Sequence, residues 1–311
     1  MTERRIAEAK EHIAQAEKSL KTSFFKWQPD YDSAAYAYEK AGVCLRNAKK
    51  VKEAKEIYVK AAEAHRNNKG YYHAAKNYEQ AAMLLKEQKE FEEAVHFMKL
   101  AAKLYRENGT PDTAALTLEK TAKFVEAVNM DAAIDLYLEA VDVVMIEDRP
   151  RQAAQSMAAA ARLLVRQKKY DKAIETIQKE RDLYFEAENW SSIHRAVLLM
   201  VLVHLARSDE VAADKVVHAS LRYEGFTDSE SGAVLEQLLK AIDEQDGEQT
   251  SKILSLPLFK YLDNDYAKLA KTLASQYQGA SRSTRSTNDA EGEVAAGGDD
   301  EDEGDEGFDL R

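Results

Sequence analysis

Tyr71-Tyr72-His73-Ala74-Ala75-Lys76-Asn77-Tyr78, followed by Ala81-Ala82, is one wording of a phrase that this chain repeats. Val51-Lys52-Glu53-Ala54 leads to Tyr58 and Ala61-Ala62, Phe91-Glu92-Glu93-Ala94 leads to Phe97 and Ala101-Ala102, and Tyr170-Asp171-Lys172-Ala173 leads to Ile177. Aligned on the central small residue, the units fall at Ala34, Ala54, Ala74, Ala94, Ala114, Ala133, Ala153 and Ala173, every step being 20 residues except one of 19. Within a unit the apolar and small residues recur at spacings of three and four, as in Ala75, Tyr78, Ala82 and Leu85, which is helix periodicity. A helix of about 16 residues plus a turn of about four is half of an antiparallel pair, and a 40-residue pair is a solenoid repeat. Alanine at the centre lets neighbouring helices approach closely, while tyrosines and leucines fill the remaining space.

Working outward, residues 2–20 read as a first helix with Ile6, Ala9, Ile13, Ala16 and Leu20 on one stripe. The junction that follows, residues 21–30, is longer than the others and sets Phe24, Phe25 and Trp27 among lysines before Pro29-Asp30 restarts the helical pattern. Aromatics in a loop either tuck under the first repeat or are presented to something outside the protein. Thr110-Pro111-Asp112 reads as a helix start, with a hydroxyl cap, proline at the first helical position and an acid near the amino end. The repeat weakens toward residue 222. Residues 230–242, 250–254 and 263–276 then read as helices of a compact end piece that closes the last repeat. The expected domains are therefore a solenoid over 1–222, a helical cap over 223–279 and a tail over 280–311. The fold class is all-α: a right-handed TPR-like solenoid of helix hairpins, a C-terminal helical cap and a disordered acidic tail.

The formal net charge of −11 is a property of that tail, where eleven acids face three arginines and leave about −3 on the body. Its glycines, serines and acids bury no apolar area. Yet Phe308 and Leu310 stand at its very end, where a solubilising tail has no use for them. Cys44 is the only cysteine, so no intramolecular disulfide forms, and an intracellular setting is expected. Met1-Thr2-Glu3-Arg4-Arg5 is not followed by an apolar signal core, and the apolar run 196–206 is too short to span a bilayer. Asn108-Gly109-Thr110 and Asn189-Trp190-Ser191 match the glycosylation pattern but read as turns between helices.

No enzyme is legible. The glycines form no phosphate loop, the seven histidines form no paired ligand motif, and acidic pairs such as Glu92-Glu93 are adjacent on a helix rather than facing. No cofactor, metal or nucleic acid is expected, because the basic residues alternate with acids on a nearly neutral body. What a solenoid offers is an extended surface for another macromolecule.

Three strings are more specific than the repeat. They are residues 16–22 with the aromatic loop, residues 108–115 (Asn-Gly-Thr-Pro-Asp-Thr-Ala-Ala) and residues 255–269 (Ser-Leu-Pro-Leu-Phe-Lys-Tyr-Leu-Asp-Asn-Asp-Tyr-Ala-Lys-Leu). In these the chain resembles the soluble NSF attachment proteins (SNAPs), the gamma form above all. The resemblance implies a cytoplasmic, peripheral-membrane adaptor of vesicle-mediated transport, ER–Golgi transport and membrane fusion. It would bind the four-helix bundle of syntaxin-type SNAREs along its repeats, and recruit and stimulate the hexameric ATPase NSF, which pulls the bundle apart. It implies membrane contact through Phe24, Phe25, Lys26 and Trp27. It implies NSF contact through Asp243, Glu244 and the penultimate Leu310, with Lys240 standing where a further family acid is expected. Two rivals stand beside this reading: a TPR-type chaperone adaptor, whose repeat is 34 rather than 40 residues and which leaves the aromatic loop unexplained, and a passive interaction scaffold or undetected hydrolase.

Overall fold

The structure, a computed structural model, describes residues 2–22 and 27–294, with side chains as far as 279. Its regular secondary structure is entirely helical among the described residues. The helices are α1 (Thr2–Leu20), α2 (Tyr31–Asn47), α3 (Val51–Asn67), α4 (Tyr71–Glu87), α5 (Phe91–Glu107), α6 (Pro111–Val125), α7 (Met130–Met145), α8 (Pro150–Arg166), α9 (Tyr170–Glu186), α10 (Trp190–Ala206), α11 (Glu210–Ser220), α12 (Glu230–Asp243), α13 (Gly247–Leu254), the single turn α14 (Pro257–Lys260) and α15 (Asn264–Val294). The chain groups into two compact units, Met1–Ala196 and Val197–Arg311.

In the first unit consecutive helices pack as neighbours from α1 to α9. All eight central alanines are fully buried. Four residues further along each helix sits the filler: Tyr38, Tyr58, Tyr78, Met98, Leu118, Tyr137, Met157 and Ile177, every one buried. Small-then-large at fixed phase gives each helix one close-approach point and one knob, which a close-packed interior requires.

The junctions repeat as closely as the helices. Lys49, Lys69, Lys89, Gly109, Lys168 and Glu188 all have φ between 49° and 76°. Around Lys49 the Lys50 N–H donates to the Leu45 carbonyl (2.9 Å) and the Lys49 N–H to the Arg46 carbonyl (2.9 Å). The same pair recurs as Gly70 to His65 and Lys69 to Arg66, and as Thr110 to Tyr105 and Gly109 to Arg106. This is the Schellman end, which satisfies the last carbonyls of a helix and turns the chain back. Side chains other than glycine resist this conformation by about 1–2 kcal/mol, so the lysines hold it only because the next helix is already packed. Gly70, the conspicuous turn residue of its junction, is not the left-handed position; Lys69 is. The step of 19 falls between α6 and α7, where no residue takes a positive φ and Asn129 caps α7 by accepting from the Ala132 N–H (3.0 Å).

A half-buried polar ladder runs through the even-numbered helices of this unit. Glu39 on α2 accepts from Asn77 on α4 (2.6 Å), Glu79 on α4 from Thr117 on α6 (3.1 Å), and Glu119 on α6 from Ser156 on α8 (2.6 Å). The odd helix between contributes a further partner: His65 Nε2 lies 2.9 Å from Glu39, and the Tyr105 hydroxyl donates to Glu79 (3.1 Å). Odd helices are tied likewise, by Lys55 to Glu93 (3.0 Å) and Lys99 to Glu139 (2.9 Å), and Lys169, just before α9, reaches Asp131 on α7 (2.7 Å). Alanine leaves the helices close, and the acids then help fix their register two helices on, since even a partly buried carboxylate without donors is costly.

Two local expectations change. Thr110 does not cap α6; its hydroxyl donates to the Tyr105 carbonyl (2.9 Å), because the Schellman turn has already brought that oxygen within reach. The last helix continues to Val294 rather than ending at Gln276, so helical backbone takes in the first residues of the stretch expected to be disordered. No proline interrupts 264–294, and Thr272 and Ser275 turn their hydroxyls onto carbonyls four residues back. The remainder of the tail, including Leu310, lies outside the described residues.

Candidate functional site

The sequence points to three places. The first is the junction between α1 and α2. Its base is closed by the Asp30 N–H donating to the Ser19 carbonyl (3.0 Å), and Asp30 in turn caps α2 by accepting from the Ser33 N–H (3.0 Å). The two ends of the connection are thereby held together. Trp27 is 85% exposed. An indole left in water is not serving the core of this unit. Phe24, Phe25 and Lys26 lie outside the described residues.

The second place is the carboxy end of α12, in the second unit. Ser229 caps this helix by accepting from the Gly232 N–H (3.0 Å), and its hydroxyl donates to the Phe226 carbonyl (2.6 Å). A side chain at Gly232 would put its first carbon 2.1 Å from the Phe226 oxygen, so glycine is the residue that lets α12 begin there. Leu235, Leu238 and Ile242 are buried, which directs the opposite face outward. Asp243 ends the helix and Glu244 follows it, both exposed. Acids at the negative end of a helix weaken it slightly, so their placement does not serve helix stability. Lys240 lies 3.9 Å from Glu244 with both side chains largely in solvent, a pair worth little in itself. It sets a positive charge beside the two acids.

Between α11 and α12 opens a cavity of about 590 Å³ lined by Glu210, Asp214, Asp243 and Lys240 around Val211, Leu239 and Ile242. Three carboxylates and one ammonium around apolar residues suit a basic partner surface. The groove's rim is fixed by Tyr277 of α15, whose hydroxyl donates to Glu210 (2.9 Å). Burial first, and the Glu210 carboxylate second, hold that phenol well above its ordinary pKa, so it remains a donor. The third place, Leu310, is not among the described residues. The structure therefore brings Asp243 into a groove with acids the sequence reading did not name, Glu210 and Asp214. Glu210, Asp214 and Asp243 sit on helices whose pairing no local spacing announces.

A further grouping also escaped the sequence reading. Glu39, His65 and His73, which form no motif in the chain, have donor atoms that all lie within 4.8 Å of one another. No helix among the described residues is long and apolar enough to cross a membrane.

Helices stacked at a fixed phase, with an acid-rimmed groove and an exposed Trp27 between α1 and α2, define an all-α helical-repeat protein. Residues 7–256 match the family model "Soluble NSF attachment protein, SNAP", and the chain belongs to that family, whose members are adaptors without enzymatic activity. It is 30% identical to the gamma-soluble NSF attachment protein of Dictyostelium discoideum over 86% of this chain and 82% of that protein. It is 26% identical to the gamma-soluble NSF attachment protein of Arabidopsis thaliana over 84% of this chain and 90% of that protein. Among solved structures it is similar to BtubC from P. vanneervenii, at 16% identity and a TM-score of 0.36, over 71% of this chain and 90% of that one. That likeness is too distant to carry an argument.

Proposed function

We propose that the chain is an adaptor that binds a SNARE four-helix bundle along its repeats and recruits and stimulates NSF, so that spent bundles are disassembled after membrane fusion in intracellular transport. The observation that carries this reading is the family match, which spans the repeats and continues through α12, the helix that ends in Asp243 and Glu244. In this reading residues 1–222 form the SNARE-binding solenoid, with hairpins twisting right-handed in the TPR-like manner. Residues 223–279 form the cap, which docks on NSF through the acid-rimmed groove that its α12 shares with α11. Leu310 reaches a small apolar site on the ATPase from the end of the acidic tail. The chain works in the cytoplasm as a peripheral membrane protein.

Division of labour between the acids and Leu310 gives the test. Leu310→Ala removes an apolar contact that contributes about 1–2 kcal/mol before the tether is ordered. NSF ATPase rate measured against added protein is expected to reach a lower plateau with this variant, while binding of the SNARE bundle is unchanged. An unaltered plateau removes the stimulatory role of Leu310.

The aromatic loop touches the membrane in this account. Phe24, Phe25 and Trp27 insert shallowly while Lys21 and Lys26 stay at anionic head groups. Each buried aromatic contributes roughly 1.5–3 kcal/mol before ordering costs, which suits a weak contact that becomes effective when several copies surround one bundle. Changing all three aromatics to serine is expected to reduce flotation with anionic liposomes and leave the melting temperature nearly unmoved. A large drop in melting temperature with undiminished flotation places the aromatics in the core instead.

A further inference from the structure

Glu39 on α2, His65 on α3 and His73 on α4 converge from three successive helices. His65 is 2% exposed and its Nε2 lies 2.9 Å from Glu39 Oε1. The two imidazoles stack, centroids 5.2 Å apart and planes 27° from parallel, and Tyr36 meets both edge-on. Asn77 donates to the same Glu39 oxygen (2.6 Å) and to the His73 carbonyl (2.9 Å), which fixes the carboxylate and the turn of α4 that carries His73.

The ladder alone accounts for only part of this. One repeat on, Glu79 makes the corresponding bonds to Tyr105 and Thr117, and the residue 40 places after His73 is Thr113. Register is therefore set there without any imidazole. In the first frame the phenol is replaced by His65, and a second imidazole is added from an exposed position of α4.

We propose that Glu39, His65 and His73 form a binding site for a divalent transition-metal ion of the Zn²⁺ class. Two imidazole nitrogens and one carboxylate oxygen are a donor set that suits such an ion and leaves a fourth position to water. Ligands about 2.0–2.2 Å from a tetrahedral metal lie about 3.3–3.6 Å from each other. Glu39 and His65 need only part slightly. The His73 ring, at an exposed position, closes the rest by rotation about its side-chain bonds, exchanging its stacking on His65 for the metal bond. His65 binds as neutral imidazole, its ring proton moving from Nε2 to Nδ1, so the ion replaces a hydrogen bond with two metal bonds and no redox step is involved. Asn77 then holds the carboxylate from outside, as partners of metal ligands do. The consequence is a clamp joining α2, α3 and α4.

The test uses the full chain and Zn²⁺ alone, followed by calorimetric titration against a competing chelator. One ion per chain is expected. His73→Gln, at an exposed position, is expected to lower the affinity at least about tenfold, and His96→Gln, at another exposed helix position, to leave it unchanged. Zn²⁺ should raise the melting temperature of the native chain and not that of His73→Gln. Co²⁺ should give the visible absorption of a tetrahedral site only when His73 is present. Absence of a one-to-one complex, or equal affinity in native chain and His73→Gln, overturns the proposal.

Discussion

Replacing Tyr105 by alanine is expected to lower the stability of the first unit by about 3–5 kcal/mol, the cost of emptying a fully buried aromatic position. Its ring packs edge-on to Tyr72 (5.5 Å) and its hydroxyl donates to Glu79, so alanine removes a packing element and a ladder bond together. Phenylalanine separates the two. It keeps the ring and loses the hydroxyl, while Glu79 retains Thr117 (3.1 Å) and lies 3.8 Å from the Lys76 ammonium. The cost should then be about 0.5–1.5 kcal/mol. Burial, reinforced by Glu79, holds the Tyr105 phenol far above its usual pKa, so the ladder bond does not titrate under ordinary conditions. Urea unfolding of the three proteins measures both numbers. Equal losses for alanine and phenylalanine would mean that the hydroxyl bond, not the ring, fixes the register. A negligible loss for alanine would mean that this phase of the repeat is not its core.

The second large effect concerns recruitment. Asp243→Lys with Glu244→Lys turns the exposed end of α12 from acidic to basic, beside Lys240 and across the groove from Glu210 and Asp214. Affinity for NSF is expected to fall on the order of tenfold or more near physiological salt, chiefly through slower association. The difference from the native chain should shrink as salt rises, since exposed charges are screened within about 10 Å at 0.1 M. SNARE-bundle binding, assigned to the repeats, should be unaffected. A loss independent of salt would point to damage in α12, whose start depends on Gly232 and Ser229, rather than to lost charge complementarity.

Much of the fold can be read from Ala34 to Ala173, because a helix that must approach its neighbours at a fixed point repeats a small residue there at a fixed count. The bounds of α1 and the start of α2 at Tyr31 follow from local pattern and from Asp30 as its cap. The junction conformations do not, because Lys49, Lys69 and Lys89 take a left-handed conformation that nothing in lysine favours and that only the packed next helix imposes. The ladder left a trace in the chain, Glu39, Glu79 and Glu119 at steps of 40, each beside a buried filler. Its partners lie 26 to 38 residues away, and no helical-wheel reading joins residues at that distance. His65 and His73 illustrate the same limit, being eight residues apart but on different helices, so that only the turn at Lys69 brings their rings into contact. For the candidate site, Trp27 stands out through the aromatic loop and Asp243 and Glu244 are named only through the resemblance; all three are exposed. Glu210 and Asp214 were not legible, because the groove they complete exists only once α11 and α12 are folded.

The measurement that tests the adaptor reading most directly uses an immobilised SNARE four-helix bundle, this chain, NSF, and either hydrolysable or non-hydrolysable ATP. With the non-hydrolysable nucleotide, NSF should stay on the bundle only when the chain is added. With ATP and magnesium, the chain and NSF should leave together as the bundle comes apart. NSF that fails to bind in the presence of the chain, or that binds the bundle equally well without it, would contradict the account.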